Sequence, residues 1–446
     1  MENWPAIAAG AIFVGVIALV MTEWLHLTLA AMLGALLLVF LNVLTLDEAI
    51  AYIAKSHTTL GLFFGVMVMV RAFEPTQIFA YLATQMVLLA KGKGKRLLLG
   101  IVALTTPICA MLPNATTVML LAPLIPPLAQ EIGVNFVPLL ILMVFVANSA
   151  GLLTLVGDPA TFIVGTSINM SFMDYLKTLS LGGVLAVFTL VVMLPFLFKK
   201  IWKTELPDLD HLPHPTVNHP RMLGLGAVIV ALVLIFFVIG ESLPVPVSPA
   251  TVALLGATLC LLLAHHSGID SINNILRDVD WCTLLFFMSI FVLIGGLEKT
   301  GVVSQASNLL AVVLGQNIAF GAIVLVLVIG LLSSVVPNIP LVVAMVPLLK
   351  EYLVNAGFVG PEILAPDFNG QLPPEVLPLF YAMMFGATLG GNGTLVGASS
   401  NIVAAGIAEQ HGKRLSFGTF LYYGLPVMLV QLGMTVLYIT VAFLRT

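Results

Sequence analysis

Long apolar runs alternate with short polar breaks along the whole chain. Two amphipathic segments, 76–90 and 302–314, each follow the third apolar run of their half and predict helices lying near the membrane interface. Eight apolar runs are long enough to cross roughly 30 Å of hydrocarbon as helices. They lie near residues 5–21, 27–44, 59–73, 180–198, 222–240, 248–265, 282–298 and 419–443. The pattern predicts an all-α integral membrane protein.

Four further apolar stretches carry a polar break at their centre. Residues 97–130 and 319–352 each consist of two short apolar arms joined at a Pro-Asn pair, which predicts re-entrant hairpins. Residues 137–168 and 376–408 have a polar, Gly-rich centre, which predicts discontinuous helices. Backbone that leaves helical geometry at membrane depth must be covered by protein or line a water-filled cavity. We therefore expect these four segments to meet one another, away from lipid.

The broken segments occur twice in the chain. The sequence Leu-Pro-Asn-Ala-Thr-Thr around Pro113 returns as Val-Pro-Asn-Ile-Pro-Leu around Pro337, 224 residues later. The sequence Thr-Leu-Val-Gly beginning at Thr154 returns at Thr394, 240 residues later. Duplicated halves with broken helices at matching positions are typical of secondary transporters whose binding site lies between the repeats.

Composition supports the membrane assignment and excludes several function classes. Sixty per cent of the residues are hydrophobic, 9% are charged and the mean hydropathy is +1.12. A soluble protein of this composition would aggregate. The sequence has no phosphate-binding P-loop and no Ser/His/Asp or Cys/His array, so we expect no enzyme activity and no organic cofactor. The net charge of −4 gives no indication of nucleic-acid binding.

Basic residues orient the chain in the membrane. Lysines and an arginine between 91 and 96 precede the first hairpin, and three lysines open a Pro-rich stretch at 199–220. Cytoplasmic segments are enriched in such residues, so we place both in the cytoplasm. Each half then crosses five times, about ten crossings in all, and the odd number inverts the second half relative to the first. The predicted units are a first repeat at 1–198, a cytoplasmic linker at 199–220 and a second repeat at 221–446.

The hairpin tips are candidate ligand sites. At the first tip the helix is expected to stop at Pro113, leaving Asn114 to cap the second arm. Asn114, Thr116 and Thr117 supply side-chain oxygens that suit a small hard cation. Backbone amides at the start of the second arm suit an anion. The second tip carries Asn338 without the threonines, so we expect the two tips to differ as binding sites.

The broken helices supply the remaining polar groups. Gly157 is expected to end one half-helix, with Asp158 as the N-cap of the next. Asp158 is the main candidate for a buried carboxylate, and it acts either as a helix cap alone or as a group that binds Na+ or a proton. In the second half, neutral side chains stand where the first half has this carboxylate.

Two sets of residues follow from these patterns. The predicted substrate-binding residues are Asn114, Thr116, Thr117, Asn338, Asn392, Thr394, Ser399, Ser400 and Asn401. The predicted cation-coupling residues are Asp158, Asn114, Thr154, Gly157, Asn338 and Gly393. Bound Na+ is expected at two places, between Asn114 and Asp158 and between Asn338 and Asn392.

The string from Gly390 to Val403, Gly-Gly-Asn-Gly-Thr-Leu-Val-Gly-Ala-Ser-Ser-Asn-Ile-Val, resembles the ion transporter superfamily. Gly157-Asp158-Pro159 and the second hairpin tip share the resemblance, which is strongest to the P protein branch of the ArsB/NhaD permeases, with a citrate transporter-like domain. It covers roughly residues 25–443. It implies a homodimer in which a transport domain of hairpins and broken helices slides against a scaffold. The chain differs from relatives with Ser-Asn-Thr tips, and it has Thr161 where P proteins tend to have asparagine.

The leading hypothesis is a secondary active transporter that moves a small anion coupled to Na+ or H+ by an elevator mechanism. One alternative is a Na+/H+ antiporter with no organic substrate, in which Asp158 exchanges the two cations. Another is an efflux permease for arsenite or a related metalloid. The expected partners are the anion, the coupling cation, the lipid bilayer and a second copy of the chain, in a bacterial inner membrane.

Overall fold

The protein is described here from a computed structural model covering residues 3–22, 24–205, 216–365, 368 and 370–444. Within these ranges the chain forms helices and turns, and no residue lies in a β-sheet beyond one isolated antiparallel bridge between Lys93 and Glu205. The same ranges contain nine helices long and apolar enough to cross a membrane, or ten when a bent pair is counted as one further span. The predicted all-α membrane architecture is confirmed.

Helices of the first half follow one another with short connections. Their bounds are α1 Trp4–Met21, α2 Leu27–Phe40, α3 Leu46–Lys55, α4 His57–Phe73, α5 Ile78–Leu89, α6 Gly94–Met111, α7 Asn114–Leu121, α8 Ile125–Glu131, α9 Phe136–Ala150, α10 Pro159–Ser167, α11 Phe172–Thr178, α12 Ser180–Leu197 and α13 Lys199–Trp202. Helix α13 opens the stretch predicted as a linker at 199–220, of which residues 206–215 lie outside the described ranges.

The second half repeats the order. Its helices are α14 Pro220–Ile239, α15 Pro249–His266, α16 Ile272–Arg277, α17 Trp281–Lys299, α18 Val302–Leu314, α19 Ile318–Ser333, α20 Asn338–Asn355, α21 Leu377–Gly390, α22 Ser399–Gln410 and α23 Phe417–Phe443. Short 3-10 turns occur at Glu74–Thr76, Ala122–Leu124, Gly151–Leu153, Gly240–Ser242 and Pro361–Leu364. The two amphipathic segments predicted near the interface form separate helices, α5 and α18, and α18 meets α19 at an angle of 112°.

Both hairpins turn at their Pro-Asn pair with the same backbone geometry. Pro113 has φ −53° and ψ 142°, and Pro337 has φ −52° and ψ 139°. The residue before a proline is disfavoured in helical geometry, so α6 ends at Met111. Each tip therefore presents the first turn of its second arm, α7 or α20, to the interior.

Contacts between the halves come in reciprocal pairs. Helix α2 packs on α17 while α15 packs on α4, and α7 packs on α22 while α20 packs on α10. Helices α2 and α15 occupy matching positions in the two repeats, as do α4 and α17, α7 and α20, and α10 and α22. The two contacts of each pair are therefore repeat-related copies of one another. The halves are therefore interlocked: the second arm of each hairpin lies against the second half of the other repeat's broken helix, while the first arm lies against the first half of its own.

Broken helices α9 and α21 form the centre of the protein. Every residue of α9 except Pro138 is buried, and so is every residue of α21 except Leu377. Helices α19 and α21 approach backbone to backbone, because a Cβ at Gly390 would lie 2.2 Å from the carbonyl oxygen of Gly330. The non-helical breaks that follow α9 and α21 are thus covered by protein, as membrane depth requires.

Several short helices were not predicted from the apolar pattern, among them α3 and α16. Helix α3 is tied to α17 by an ion pair of 2.6 Å between Glu48 and Lys299. In the second half, Asp278 follows α16 and pairs with Arg71 of α4 at 2.8 Å. Both helices are amphipathic rather than apolar, so a search for spans passes over them. The capping box between Thr45 and Glu48 was the available sequence signal for α3.

Candidate functional site

Asp158 lies where the hairpins and the broken helices meet. It directly precedes α10 in an extended conformation, with φ −141° and ψ 132°. Its Oδ1 accepts hydrogen bonds from the side-chain amides of Asn114 at 3.2 Å and Asn338 at 3.4 Å. Its Oδ2 accepts from the hydroxyl of Thr388 at 2.8 Å. Asp158 is the one acidic or basic residue that is fully buried among the residues described. A single carboxyl group therefore joins both tips to both broken helices.

The expected helix caps are formed only in part. Asp158 occupies the N-cap position of α10, but its side chain makes no capping hydrogen bond. Pro113, and not Asn114, is the N-cap of α7, but the side-chain oxygen of Asn114 accepts from the backbone amide of Ala115 at 2.8 Å, as expected. Asn114 is the first helical residue, and its amide donates to Asn148 at 3.1 Å as well as to Asp158. The carboxylate faces donors from three other segments, Asn114 of α7, Asn338 of α20 and Thr388 of α21, and bonds to them.

Asn148 extends the network into the second repeat. Its amide donates to the side-chain oxygens of Asn392 at 3.0 Å and Asn401 at 3.1 Å. Its own oxygen accepts from the hydroxyl of Ser400 at 2.7 Å. Four helix N-termini, those of α7, α10, α20 and α22, therefore end in one hydrogen-bonded network. Their positive dipole ends make this a favourable place for negative charge.

Asn338 and Asn392, the residues of the second expected Na+ position, bond to different partners. Asn338 bonds to Asp158, and no hydrogen bond joins it to Asn392 in the described part of the chain. The amide of Asn392 instead donates to Gln431 of α23 at 2.8 Å and to Ser149 at 3.4 Å. The Asn392 amide thus bonds to α23 and to the end of α9.

Each break has one threonine whose hydroxyl bonds to the end of a hairpin arm. The hydroxyl of Thr154 donates to the carbonyl of Ala110 at 2.6 Å. The hydroxyl of Thr394 donates to the carbonyl of Ser334 at the equivalent place in the second repeat. Each threonine therefore acts as a link between a break and the end of a hairpin arm.

A second equivalent pair lies directly beside the first. The thiol of Cys109 donates to the carbonyl of Ala147 at 2.9 Å, and the hydroxyl of Ser333 donates to that of Ala387 at 2.6 Å. Each pair joins the first arm of a hairpin to the first half of its broken helix. The two repeats thus share these individual hydrogen bonds.

Other predicted residues line the site without joining the network. Thr117 is buried and its hydroxyl donates to the carbonyl of Leu112 at 3.5 Å. Thr116 and Ser399 are half-buried, and neither side chain bonds to the network in the residues described. Gly157 and Gly393 are close-approach positions: a Cβ would lie 2.8 Å from the carbonyl of Cys109 at the former and 2.5 Å from a methionine sulfur at the latter.

Network residues that escaped prediction include Thr388, Gln431 and Ser149, the acceptor of the Asn392 and Gln431 amides. Thr388 stands 240 residues after Asn148, so the repeat offset identifies it as that residue's counterpart. Gln431 is the single side-chain amide in the apolar span α23. It is fully buried, and its amide donates to Ser149 at 2.8 Å and to the carbonyl of Ala186 at 3.0 Å. Both signals were present in the sequence.

The donor set at Asp158 suits a hard cation. In the described ranges, no group of three or more His, Cys, Asp and Glu side chains is placed to hold a metal ion. Carboxylate, hydroxyl and carbonyl oxygens surround the first break instead, and oxygen ligands of this kind hold hard cations. Asp158, Thr154 and the backbone beside Gly157 are the residues that would hold such an ion.

Two cavities lie between the elements that carry the site and the long helices α4, α14 and α17. One, of about 370 Å³, is lined only by apolar residues and lies between α4, α14 and the end of α6 at Met111 and Leu112. The other, of about 320 Å³, lies between α4, α17, α10 and α20. Its wall includes Ile163 and Val343, each five residues after a network residue, Asp158 or Asn338. This second cavity therefore reaches to within a few turns of the carboxylate.

Comparison with known proteins identifies relatives along the whole chain. Residues 17–365 match the family described as CitMHS, citrate transporter. An uncharacterized transporter of Synechocystis sp. is 72% identical over 98% of this chain and 98% of its own length. The human P protein is 29% identical over 97% of this chain and 59% of its own length.

A solved structure supports the fold. The YdaH transporter of Alcanivorax borkumensis, whose crystal structure is described as having an unusual topology, superimposes with a TM-score of 0.60 at 12% sequence identity. The match covers 88% of this chain and 86% of that one. With the sequence relatives, it places the chain among integral membrane transporters of the plasma membrane and not among enzymes.

Proposed function

The chain belongs to the citrate transporter family, and on that premise we propose that it is a secondary active transporter that moves a small anion together with a coupling cation. The observation that carries the proposal is the buried Asp158 carboxylate, bonded to both hairpin tips and to Thr388. Each of its partners donates a hydrogen bond, so the ionised form is the one they stabilise. An ionised carboxylate in a dry site calls for a cation.

The anion is proposed to bind beside this carboxylate, between the two tips. Four helix N-termini end in the network, and exposed amides at such ends hold anions. The described residues place no lysine or arginine in the network. A bound cation would then supply the positive charge that lets an anion approach Asp158. Coupling follows, because neither ion binds well without the other.

An elevator movement is proposed for the transport step. The hairpins, the broken helices and the spans after them would move as one body against a scaffold formed by the spans at 27–44, 222–240 and 248–265. The apolar cavity lies along this boundary, between the 222–240 span and the first hairpin, where incomplete packing lowers the resistance to sliding. The scaffold is also proposed to form the homodimer contact, which keeps it still while the other body moves.

A second candidate function is a Na+/H+ antiporter. The observation in its favour is that the network holds one carboxylate and no basic side chain. A group of this kind can carry Na+ in one direction and a proton in the other with no anion involved. The metalloid permease has no comparable observation in its support.

Purified protein in proteoliposomes separates these functions. Uptake of radiolabelled citrate, succinate, phosphate and arsenite is measured under an inward Na+ gradient, an inward proton gradient or no gradient. Cation-driven uptake of one of the anions supports the proposal. Proton efflux driven by Na+ entry, with no anion taken up, supports the antiporter. Arsenite movement alone would refute both.

A further inference from the structure

The second cavity, between α4, α17, α10 and α20, is a crevice bordered by one face each of α17 and α20. Residues at positions i, i+3, i+4 and i+7 lie on one side of a helix. Both helices line the crevice with this spacing, which corresponds to a depth of about 10 Å at 1.5 Å per residue. The lining residues are Phe291, Ile294, Gly295 and Glu298 of α17 and Val343, Val346, Pro347 and Lys350 of α20.

Charged residues lie at the end of this crevice that is farthest from the network. Along α20, Val343 lies about 8 Å from Asn338, whereas Lys350 lies about 18 Å from it. Lys350 and Glu298 are the last lining residues of their helices, and Lys55 of α3 lines the same crevice. Lys55 and Glu298 are exposed and Lys350 is half-buried. These three residues form the mouth of the crevice, which is open to solvent.

The two lysines of the mouth have no ion-pair partner. Within the described ranges, no carboxylate lies within 4 Å of the amine of Lys55 or of Lys350. The amine of Lys55 lies over the ring of Tyr52, 4.6 Å from its centroid. Lys299, next to Glu298, is different, because it pairs with Glu48 at 2.6 Å. Two ammonium groups without a bound carboxylate thus face one crevice, opposed by the single charge of Glu298.

The rest of the wall suits a small oxyanion. The hydroxyls of Thr58 and Thr59 line the crevice and make no side-chain hydrogen bond within the described ranges, so they can donate to a ligand. A lysine ammonium carries three donors and a full positive charge. The crevice volume of about 320 Å³ lies at the lower end of the range of small-molecule sites, about 300–1,000 Å³. Its size and its donors therefore fit a carboxylate or phosphate compound of a few carbon atoms.

We propose that the mouth of this crevice is a second anion site, in which a small oxyanion binds between the ammonium groups of Lys55 and Lys350. The site lies about 18 Å from the tip of the second hairpin along α20 and captures the anion before it reaches the network. Positive charge in a cleft raises the local concentration of an anion. Glu298 keeps the binding weak, so that the anion can leave again. The inference rests on the proposed anion transport and adds the place where the anion is first held.

A thiol in the wall of the crevice tests the site without any transport. Ser167 lines the crevice, so Ser167→Cys places a thiol there with little change in size. The full-length protein also carries serine in place of its three native cysteines, Cys109, Cys260 and Cys282. Modification of the new thiol is timed in detergent with an anionic reagent, sulfonatoethyl methanethiosulfonate, and with a cationic one, trimethylammonioethyl methanethiosulfonate. The ratio of the two rates reports the charge that surrounds the thiol.

Variants of the mouth should change this ratio in opposite directions. Lys55→Gln and Lys350→Gln should each lower the ratio of anionic to cationic rate by roughly tenfold, whereas Glu298→Gln should raise it. Lys350→Arg retains the charge and should retain the ratio. Lys299→Gln is the matched control, because this lysine is paired with Glu48 and does not line the crevice.

Protection by an added anion measures binding directly. Potassium citrate or potassium phosphate, compared with potassium chloride at equal ionic strength, should slow modification of the thiol by both reagents. The concentration that halves the rate should rise by roughly tenfold in Lys55→Gln and Lys350→Gln, and it should fall in Glu298→Gln. The control Lys299→Gln should be protected like the protein with all four mouth and control residues intact.

Three outcomes overturn the inference. One is an unchanged rate ratio in both lysine variants, and another is the absence of protection by both citrate and phosphate. The third is weaker protection in Glu298→Gln, which would mean that the three charges hold one another in place and hold no anion. Uptake in proteoliposomes judges the proposed function separately. Cation-driven uptake without protection of the thiol would remove the second site alone, and protection without any cation-driven uptake would end the proposed function and leave the anion site.

Discussion

Replacing Asp158 by asparagine separates cation coupling from folding. The amide has nearly the same shape, and its oxygen still accepts from the side-chain amides of Asn114 and Asn338. The hydroxyl of Thr388 rotates to accept from the new amide instead of donating. Hydrogen bonds to a charged group stabilise by about 1.5–3 kcal/mol and neutral ones by about 0.5–1.5 kcal/mol. We therefore expect a folded protein that is less stable by about 1–3 kcal/mol.

The effect on cation binding should be much larger. A cation about 4 Å from a unit negative charge gains about 4 kcal/mol at an effective dielectric constant of 20. Since about 1.4 kcal/mol is a factor of ten, removing the charge should weaken cation binding by about 10³-fold. At working cation concentrations this amounts to loss of coupling.

Uptake in proteoliposomes, measured as a function of external Na+ and of pH, is the assay. Asp174→Asn is the matched control, because this exposed carboxylate of α11 bonds to Ser171 and lies outside the network. The control should keep the cation dependence of wild type. If Asp158→Asn also keeps it, Asp158 is a structural residue and the coupling argument fails.

Three further predictions follow from named contacts. Gln431→Leu removes the main partner of the Asn392 amide and should destabilise the protein by about 1–3 kcal/mol, seen as a lower melting temperature in detergent; an unchanged value would contradict the network. Cysteines at Met111 and Ala227, on opposite walls of the apolar cavity in a cysteine-free background, should arrest transport reversibly when cross-linked, whereas full activity of the linked protein would refute the elevator. Hydrogen bonds from Arg277 and Arg71 hold the pKa of Asp278 below its usual range, so its contribution to stability is present at neutral pH and lost as the pH falls below about 4. Asp278→Asn should therefore reduce the loss of melting temperature between about pH 5 and pH 3, and an identical acid-side decline would count against that ion pair.

The fold was largely predictable because its main signals are local. Apolar length locates the spans, and a proline next to Asn114 or Asn338 fixes the end of each hairpin arm. The offset of 224 residues between Pro113 and Pro337 then relates the halves without any knowledge of packing. Helices α3 and α16 were not found, because their amphipathic sequences are held by ion pairs to distant helices.

The site was predictable in its members and less so in its pairings. Asp158, Asn114 and Asn338 were expected to matter, and they lie together. We expected Asn392 to pair with Asn338 around a cation. Its side-chain amide donates instead to Gln431 on α23, 39 residues further along the chain. Side-chain direction at a helix break depends on which neighbour offers a hydrogen bond, and sequence spacing does not encode that. Adding the repeat offset of 240 residues to Asn148 leads to Thr388, so the repeat alone could have identified this residue.

The most direct test of coupling at Asp158 is to run the cycle backwards. Proteoliposomes are loaded with the transported anion, and an outward anion gradient is imposed with equal cation concentrations on both sides and the membrane potential clamped. Coupling between two binding sites is reciprocal, so wild type should expel the cation against its own developing gradient. Asp158→Asn should expel none. Anion efflux in wild type without any cation movement, or equal cation movement in the mutant, would contradict the account.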